Sequence, residues 1–376
     1  MRIIFDAQAL RMYPVGQPSE FTGGTETMVH KLAQGLSAQH DVHVVCPDLD
    51  LEEQRGERLW YWGPRAHPTQ ADAVVLVHSL EFVGDYAADY LIFATNGVDP
   101  ELGPNHSYAN GVDAFPVFSE KHGELLRQFR PTVAEEKCHI TGLGINLGDY
   151  GDFLPLHDMV RKVGEHYAPK DKTAVPGRLL YANDPARGLW HVLDIFDYLK
   201  QQVPHAGLHI SYDFDRQFEH HRWRADMLAE ALWDCKRRIE STDGVTSLGG
   251  LDRAGVVREQ LECQVHVMPS DPPNVGSQIH GITQMECAAA GAALVLSDTE
   301  AFREVFGSAA RILPLPGKYR VDLERRFDAQ DWAENIAAVM GSPDVLTEMS
   351  RDSRWLAEQN TWAHVVGRWE EMLSAL

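Results

Sequence analysis

The fold of this chain is decided by the stretch SQIHGITQMECAAAG, residues 277–291. An apolar run that ends in a turn, 265–270, precedes it across a loop of turn residues, and a second apolar run, 292–297, follows it. This order of strand, loop, helix, glycine and strand is typical of one unit of a parallel sheet. A helix that begins at the carboxyl end of a parallel strand presents free N–H groups and the positive end of its dipole. The stretch therefore predicts an anion-binding site.

The same pattern occurs on both sides of a polar region at about 147–177. Short apolar runs predict buried strands, and the helices or long loops between them predict parallel pairing. The predicted strands are at 1–7, 42–47, 72–78, 91–97, 114–119, 178–182, 208–212, 292–297 and 310–313, and three further strands, each with the turn that ends it, are at 138–146, 245–250 and 265–270. Besides the helix within 277–291, the predicted helices are at 23–37, 120–129, 189–202, 218–240, 253–261, 329–340, 343–358 and 362–376.

This pattern predicts an α/β protein of two doubly wound, Rossmann-like domains that face a cleft, followed by C-terminal helices. At roughly 150 residues per domain, a chain of 376 residues has room for two such domains. We place an N-terminal domain at 1–165 and a C-terminal domain at 166–358. A C-terminal helix at 359–376 is a candidate to pack back on the N-terminal domain. The cleft between the domains is the expected ligand site.

Charge and cysteine content narrow the class of protein. The net charge of -21 argues against a binder of nucleic acid or of anionic membranes, which need basic surfaces. The five cysteines are scattered and show no C-x-x-C spacing, which favours reduced thiols in a cytoplasmic protein. The first residues are typical of a strand rather than a signal peptide, and no stretch approaches the ~20 apolar residues of a membrane span. The oligomeric state stays open.

Five short motifs, taken together, carry a family resemblance. They are Gly23-Gly24-Thr25-Glu26 after the first strand, Ser119-Glu120 at a strand end, Gly144-Ile145-Asn146 before the linker, Pro185-Ala186-Arg187-Gly188-Leu189 after the strand 178–182, and the stretch from Gln278 to Glu286. In order and spacing, they make the chain resemble the GT-B fold glycosyltransferases, in particular the retaining family 4 enzymes, over nearly its whole length. The resemblance implies an acceptor side in the N-terminal domain and a nucleotide-sugar donor side in the C-terminal domain.

The chain departs from this family at three positions. Gln278 stands where the first glutamate of the family's E-x7-E motif is expected, and an amide carries no charge. Asn96 stands where some relatives have a histidine, so His78 is a second candidate for that role. Ala182 takes the place of an expected arginine, which leaves Arg187 to bind the phosphates. These changes favour an unusual donor or weakened chemistry.

Arg187 and Glu286 are the main candidates on the donor side. Arg187 lies in a turn at a strand end beside Gly188, where a guanidinium can hold a diphosphate through two parallel hydrogen bonds. Glu286 lies in an apolar helical run, where a carboxylate without a partner is costly. We therefore expect the ribose hydroxyls of a nucleotide to be its partners. For each residue, an ordinary solvent-exposed side chain is the alternative.

Residues at the start of the same helix complete the predicted donor site. Gln278, His280, Gly281 and Ile282 would present N–H groups and side chains to the phosphate and the sugar. An ordinary helix start that is capped by Ser277 fits the same residues. Both interpretations are compatible.

Four further residues are weaker candidates for donor binding. Gly23 and Gly24 would let the backbone approach a phosphate or an acceptor, although a tight turn needs glycines as well. Gly250, in a glycine turn, would receive the nucleotide base. Glu304 resembles a glutamate that ends a loop of the family.

Arg187, Gln278, Asn96 and His78 form the predicted catalytic set. Asn96 and His78 lie at the ends of predicted strands that face the cleft, although a histidine in such a place is more often structural. His139, His220 and His221 lack the spacing of a metal site, which agrees with the metal independence that the resemblance implies. We expect neither a metal nor another cofactor.

These observations lead to a predicted activity with two alternatives. The resemblance implies transfer of a sugar from a nucleoside diphosphate sugar to an acceptor hydroxyl with retention of configuration, in the class of hexosyltransferases. A sugar-nucleotide epimerase of the same fold is one alternative. A protein that binds a nucleotide sugar or a partner with weakened or lost catalysis is the other. The nucleotide, the sugar and the acceptor stay open.

Overall fold

The computed structural model describes residues 1–10, 24–47, 49, 52–95, 111–150, 174–214, 227–270, 280–314 and 328–376. Within these ranges, two six-stranded sheets organise the fold. The chain divides into two compact units, each with one of these sheets. Unit 1 consists of residues 1–144 and 360–376, and unit 2 consists of residues 145–359. The predicted boundary between residues 165 and 166 lies outside the described residues.

The sheet of unit 1 is parallel except at one edge. Its strands are β1 (Arg2–Asp6), β2 (Asp41–Val45), β3 (Glu53–Gly56), β4 (Leu59–Trp62), β5 (Gln70–Val77) and β6 (Ala87–Ala94). They lie in the order β3-β4-β2-β1-β5-β6, and β3 is antiparallel to β4. Two short strands, β7 (Phe115–Val117) and β8 (Cys138–Ile140), pair in parallel with each other, and a single bridge from Ala114 to Ile92 joins this pair to β6.

The sheet of unit 2 is parallel throughout. Its strands are β9 (Arg178–Tyr181), β10 (Gly207–Ser211), β11 (Val245–Gly249), β12 (Val265–Met268), β13 (Ala293–Ser297) and β14 (Ala310–Leu313). Their order is β11-β10-β9-β12-β13-β14, the arrangement of a dinucleotide-binding Rossmann fold. Because helices cover both faces of such a sheet, its central strands are apolar without alternation, as in β13, where every residue is buried.

Helices connect the strands and complete both units. In the described part of the chain they are α1 (Gly24–Leu36), α2 (Glu120–Phe129), α3 (Leu189–Gln202), α4 (Met227–Ser241), α5 (Arg253–Glu262), α6 (Ile282–Ala289), α7 (Glu300–Phe306), α8 (Ala329–Met340), α9 (Pro343–Glu358) and α10 (Trp362–Ala375). No helix among the described residues is long and apolar enough to cross a membrane. The predicted α/β class, with two Rossmann-like domains and C-terminal helices, is confirmed.

The C-terminal helix α10 belongs to unit 1 and packs on α1 and β1. The rings of Phe5 and Trp369 lie 5.9 Å apart between centroids, and His40 Nε2 lies 2.7 Å from a carboxylate oxygen of Glu370. Gly35 permits this close approach, because a Cβ atom there would lie 2.4 Å from Cγ2 of Val366. The last residues of the chain therefore complete the core of the first unit.

Helix α9 fixes the far end of α6 within unit 2. The buried guanidinium of Arg354 donates a hydrogen bond of 2.7 Å to the carbonyl of Ala289. Ser350 Oγ donates one of the same length to the carbonyl of Gly291. These donors satisfy carbonyl groups that a helix leaves free at its C-terminus. They hold α6, which carries the donor-side candidates Ile282 and Glu286, against the core.

The structure differs from the predicted elements in four places. The strands β3 and β4 were not predicted: β3 is a short polar edge strand without an apolar run, whereas β4 is the short apolar segment Leu59–Trp62. Helix α7 replaces the predicted loop around Glu304. The 114–119 run forms β7, outside the main sheet. The predicted helix at 218–240 is observed from Met227 to Ser241, and residues 215–226 lie outside the described part.

Candidate functional site

The strand order of unit 2 reverses between β9 and β12. Successive connections from these two neighbours run to opposite sides of the sheet, which opens a crevice at its carboxyl edge. We call this edge the switch point of unit 2. The turn that leads from β9 to α3 contains Arg187, and the connection from β12 ends at α6. Both segments that sequence analysis selected for the donor site therefore start from adjacent strands.

Arg187 ends a 3-10 turn, Pro185–Arg187, directly beyond β9. Its N–H donates to the carbonyl of Asp184 at 2.9 Å, and the buried hydroxyl of Tyr181 donates to the same carbonyl at 2.8 Å. Gly188 follows with φ of 113°, a left-handed conformation that favours glycine, and caps α3. The turn is thus fixed by local geometry, and its half-buried arginine lies next to the switch point.

A polar network that sequence analysis missed joins the two sides of this switch point. Gln284 of α6 directs Nε2 to Asn183 Oδ1 at 3.2 Å and to His266 Nε2 at 3.3 Å. Nδ1 of His266 lies 3.0 Å from the carbonyl of Leu180, so it is the protonated nitrogen and Nε2 accepts from Gln284. Burial lowers the pKa of His266 to about 4, and the imidazole is neutral at pH 7. A histidine inside the apolar run VHVM was the available signal.

Two buried polar atoms at the same switch point lack a hydrogen-bond partner within the described part of the chain. They are Nδ2 of Asn183, beyond β9, and Oγ of Ser270, beyond β12. The backbone N–H of Ser270 is satisfied by Ser297 Oγ at 2.9 Å. A buried polar group without a partner costs about 1–3 kcal/mol, so a ligand or a water is a candidate partner for these two atoms.

The start of α6 differs in detail from the prediction. Gly281 caps the helix, but its N–H donates to Nδ1 of His280 at 2.9 Å instead of pointing to an open position. The His280 ring also contacts the ring of Phe306, with 6.2 Å between centroids. A Cβ atom on Gly281 would lie 2.1 Å from Oε1 of Gln284, which explains the glycine by packing. Ile282 is half-buried at the first helical position, and Gln278 lies outside the described residues.

Glu286 does not lack a partner, and this corrects the sequence argument. Oε1 accepts a hydrogen bond of 2.5 Å from Nη1 of Arg253, and Oε2 accepts one of 3.1 Å from Nε2 of Gln260. Arg253 is the first residue of α5, on the neighbouring connection, 33 positions earlier in the chain. The apolar neighbours of Glu286 therefore do not by themselves indicate a ligand. The carboxylate is still 15% exposed.

The remaining donor-side candidates that lie in the described ranges are exposed. Gly250 follows β11, but the left-handed residue of that turn is Gly249, with φ of 68°. Glu304 lies on the exposed face of α7. Gly24 is the exposed first residue of α1, and Gly23 lies outside the described residues.

Unit 1 has a switch point of its own, between β1 and β5. His78 follows β5 with φ of 68°, a strained conformation for a residue other than glycine. Its Nε2 lies 3.4 Å from Oγ1 of Thr25 in the first turn of α1, and burial lowers its pKa to about 4. Strained backbone in such a place is typical of functional sites. Asn96 lies outside the described residues.

Asp6, at the end of β1, is a second buried polar residue at this edge. Its Oδ1 accepts from the N–H of Gln8 at 2.9 Å, and its Oδ2 accepts from the hydroxyl of Tyr86 at 2.8 Å. Burial raises the pKa of this carboxyl group despite these hydrogen bonds. Asp6 is not among the predicted site residues, although an acidic residue that ends an apolar strand is a usable signal.

Comparison with known proteins gives a clear result at the level of structure. No protein-family model and no curated protein matches the sequence. A sucrose-phosphate synthase from Thermosynechococcus elongatus matches with a TM-score of 0.68 at 13% identity, over 100% of this chain and 98% of that chain. HepE from Anabaena in complex with UDP and glucose matches with a TM-score of 0.65 at 15% identity, over 100% of both chains. A glycosyltransferase from Rickettsia africae ESF-5 matches with a TM-score of 0.65 at 13% identity, over 100% of this chain and 99% of that chain.

The chain has the GT-B fold. In this GT-B protein, each Rossmann-like unit provides one switch point. Polar side chains lie together at both switch points, although the end of a strand does not by itself require polar residues. No group of three or more histidine, cysteine or acidic side chains among the described residues is arranged to hold a metal ion. One fold supports many activities, so the chemistry depends on the residues at these edges.

Proposed function

We propose that this chain is a glycosyltransferase that moves a sugar from a nucleoside diphosphate sugar to an acceptor hydroxyl with retention of configuration. One observation carries the proposal: Arg187 and the start of α6 follow the two adjacent strands at the switch point of unit 2. A diphosphate needs such a local cation in a chain with a net charge of -21. Similar solved structures support it, since the HepE structure contains UDP and glucose.

Arg187 has the principal electrostatic role in this proposal. As the bond between the anomeric carbon and the phosphate oxygen breaks, negative charge grows on the leaving diphosphate. A guanidinium and helix N–H groups that are already in place stabilise that charge without reorganisation. Gln278 and the N–H groups near His280 and Ile282 are proposed to orient the sugar and the phosphate.

Retention is proposed to proceed by attack on the face that the leaving group departs from. The acceptor oxygen bonds to the anomeric carbon as the phosphate departs, and the acceptor's proton passes to a phosphate oxygen. This route needs no protein nucleophile, metal or cofactor. His78 is neutral at pH 7 and is proposed, with Asn96, to position the acceptor by hydrogen bonding. We place the reaction in the cytoplasm, where thiols such as the five free cysteines stay reduced.

The activity is tested with a set of nucleoside diphosphate sugars, each incubated with and without a mixture of sugar acceptors. The proposal predicts release of free nucleoside diphosphate that depends on the acceptor, and a product whose anomeric configuration, measured by NMR, matches the donor. Conversion of the sugar nucleotide to an isomer without net release would instead establish an epimerase. Binding without turnover of any donor would establish a binding protein.

A further inference from the structure

Glu286 and three side chains around it form a closed ring of hydrogen bonds within unit 2. Arg253 donates to Glu286 Oε1 at 2.5 Å, and Gln260 donates to Glu286 Oε2 at 3.1 Å. The hydroxyl of Tyr150 donates to Gln260 Oε1 at 2.7 Å and accepts from Arg253 Nη2 at 3.2 Å. Gln260 and Tyr150 are completely buried. Each donor in the ring faces an acceptor, so the arrangement defines one orientation for every member.

The guanidinium of Arg253 is itself fixed from the other side. Its Nε and Nη2 donate to Oδ2 of Asp149 at 3.0 and 2.7 Å. Asp149 in turn accepts at Oδ1 from Nδ2 of Asn146 at 2.5 Å. The arginine lies with its charged group 5.9 Å from the ring centroid of Tyr150. Its neighbouring carboxylates raise the pKa of Arg253 above its usual value. The cation is permanently charged and held in place by residues of two separate chain segments.

The ring leaves acceptor capacity on Glu286. A carboxylate has about four lone-pair positions, and the ring uses one on each oxygen. The side chain is 15% exposed, so part of it remains accessible to a ligand.

We propose that Arg253 is the positioning residue of the donor site: it fixes the carboxylate of Glu286 so that the remaining lone pairs accept hydrogen bonds from the 2′- and 3′-hydroxyls of the nucleotide's ribose. The inference rests on the proposed function, since it assumes that a nucleotide binds at the switch point of unit 2. It assigns Arg253 a role that sequence motifs do not indicate. Gln260 and Tyr150 serve as its structural support.

The test compares two ligands that differ only in the ribose hydroxyls. UDP, GDP, ADP and CDP are titrated calorimetrically into the unaltered protein, and the tightest binder is then compared with its 2′,3′-dideoxy form. The same pair is measured with Arg253→Gln, which keeps side-chain donors but removes the charge, and with Arg253→Lys, which keeps the charge but not the planar fork. Arg238→Gln is the matched control, because Arg238 also bridges two carboxylates, Asp194 and Asp197, on the surface of the same unit.

The inference predicts that the unaltered protein binds the ribose form more tightly than the dideoxy form. In Arg253→Gln the ratio of these two affinities is about tenfold smaller, which is the effect of losing a hydrogen bond to a charged group. The affinity of the dideoxy form stays within about twofold, and Arg253→Lys loses less of the preference than Arg253→Gln. Arg238→Gln changes neither ligand. An unchanged preference, or an equal loss of affinity for both forms, would overturn the inference while leaving the proposed function intact. Failure of all four nucleotides to bind the unaltered protein would overturn both.

Discussion

Gln284 of α6 donates a hydrogen bond of 3.2 Å to Oδ1 of Asn183, beyond β9. This contact joins the segment that follows β9 to the helix that follows β12. These two connections leave the switch point of unit 2 in opposite directions. The same amide also reaches the buried imidazole of His266 in β12. The side chain of Gln284 is almost entirely buried, so it acts as a fixed bridge rather than a surface group.

Replacement of this bridge by an apolar side chain of similar length is expected to destabilise the protein. In Gln284→Met, Asn183 Oδ1 and His266 Nε2 lose their donor in a buried environment, which costs about 1–3 kcal/mol of unfolding free energy. Urea denaturation measures this difference. Gln201→Met, at an exposed position near the end of α3, is the control and stays within about 0.5 kcal/mol of the unaltered protein. Equal stability of Gln284→Met and the control would contradict the bridge.

The neutral state of His266 predicts a specific pH dependence. Its pKa is lowered from 6.5 to about 4 in the folded state, so between these values the unfolded chain binds a proton that the folded chain does not. The contribution to stability is complete above pH 6.5 and is lost as the pH falls toward 4, by about 1.4 kcal/mol per pH unit.

Stability measured by urea denaturation at pH 7, 6 and 5 isolates this effect when His266→Gln is compared with the unaltered protein. The variant is less stable at pH 7, and the difference in unfolding free energy between the two proteins becomes smaller as the pH falls. His364→Gln, at an exposed position in α10, is the surface control measured in the same way. A gap for His266→Gln that is constant from pH 7 to pH 5 would show that the folded imidazole titrates normally.

The close packing of α1 against α10 depends on Gly35. A methyl group in Gly35→Ala would meet Cγ2 of Val366 at 2.4 Å, which forces the two helices apart or shifts the valine. Overpacking of this kind costs about 1–3 kcal/mol, and we expect a lower thermal midpoint. Gly367→Ala, in α10 with open space at its Cβ position, is expected to be neutral or to stabilise the helix by up to about 1 kcal/mol. Similar midpoints for both variants would show that α10 does not rely on this contact.

The helices near the C-terminus were predictable because their signals are local. Helices α8, α9 and α10 begin and end within one residue of the predicted positions. Their caps are Asp328, Ser342 and Thr361, whose side chains accept from N–H groups two or three residues later, and Pro343 occupies the first turn of α9. Such signals lie within a few residues of the boundary that they define.

The fold was predictable and the detail of the site was not. Short apolar runs indicated the parallel sheets, but β3 is a polar edge strand that contains no such run. The partner of Glu286, Arg253, lies on another connection, and no spacing in the sequence relates the two residues. The hydrogen-bonded pair of Asn183 and Gln284 is separated by 101 positions. Long-range polar pairing depends on tertiary structure, which local patterns do not encode.

The central claim is that Arg187 binds the diphosphate of a nucleotide. The most direct measurement is a thermal-shift series with UDP, GDP, ADP, CDP and dTDP on the unaltered protein, on Arg187→Ala and on Arg237→Ala, a control at an exposed arginine of α4. A ligand at 100 times its dissociation constant stabilises by about 2.7 kcal/mol, which is easily detected. We predict a shift with at least one nucleotide that Arg237→Ala keeps and Arg187→Ala loses. No shift with any nucleotide, or an undiminished shift in Arg187→Ala, would contradict the claim.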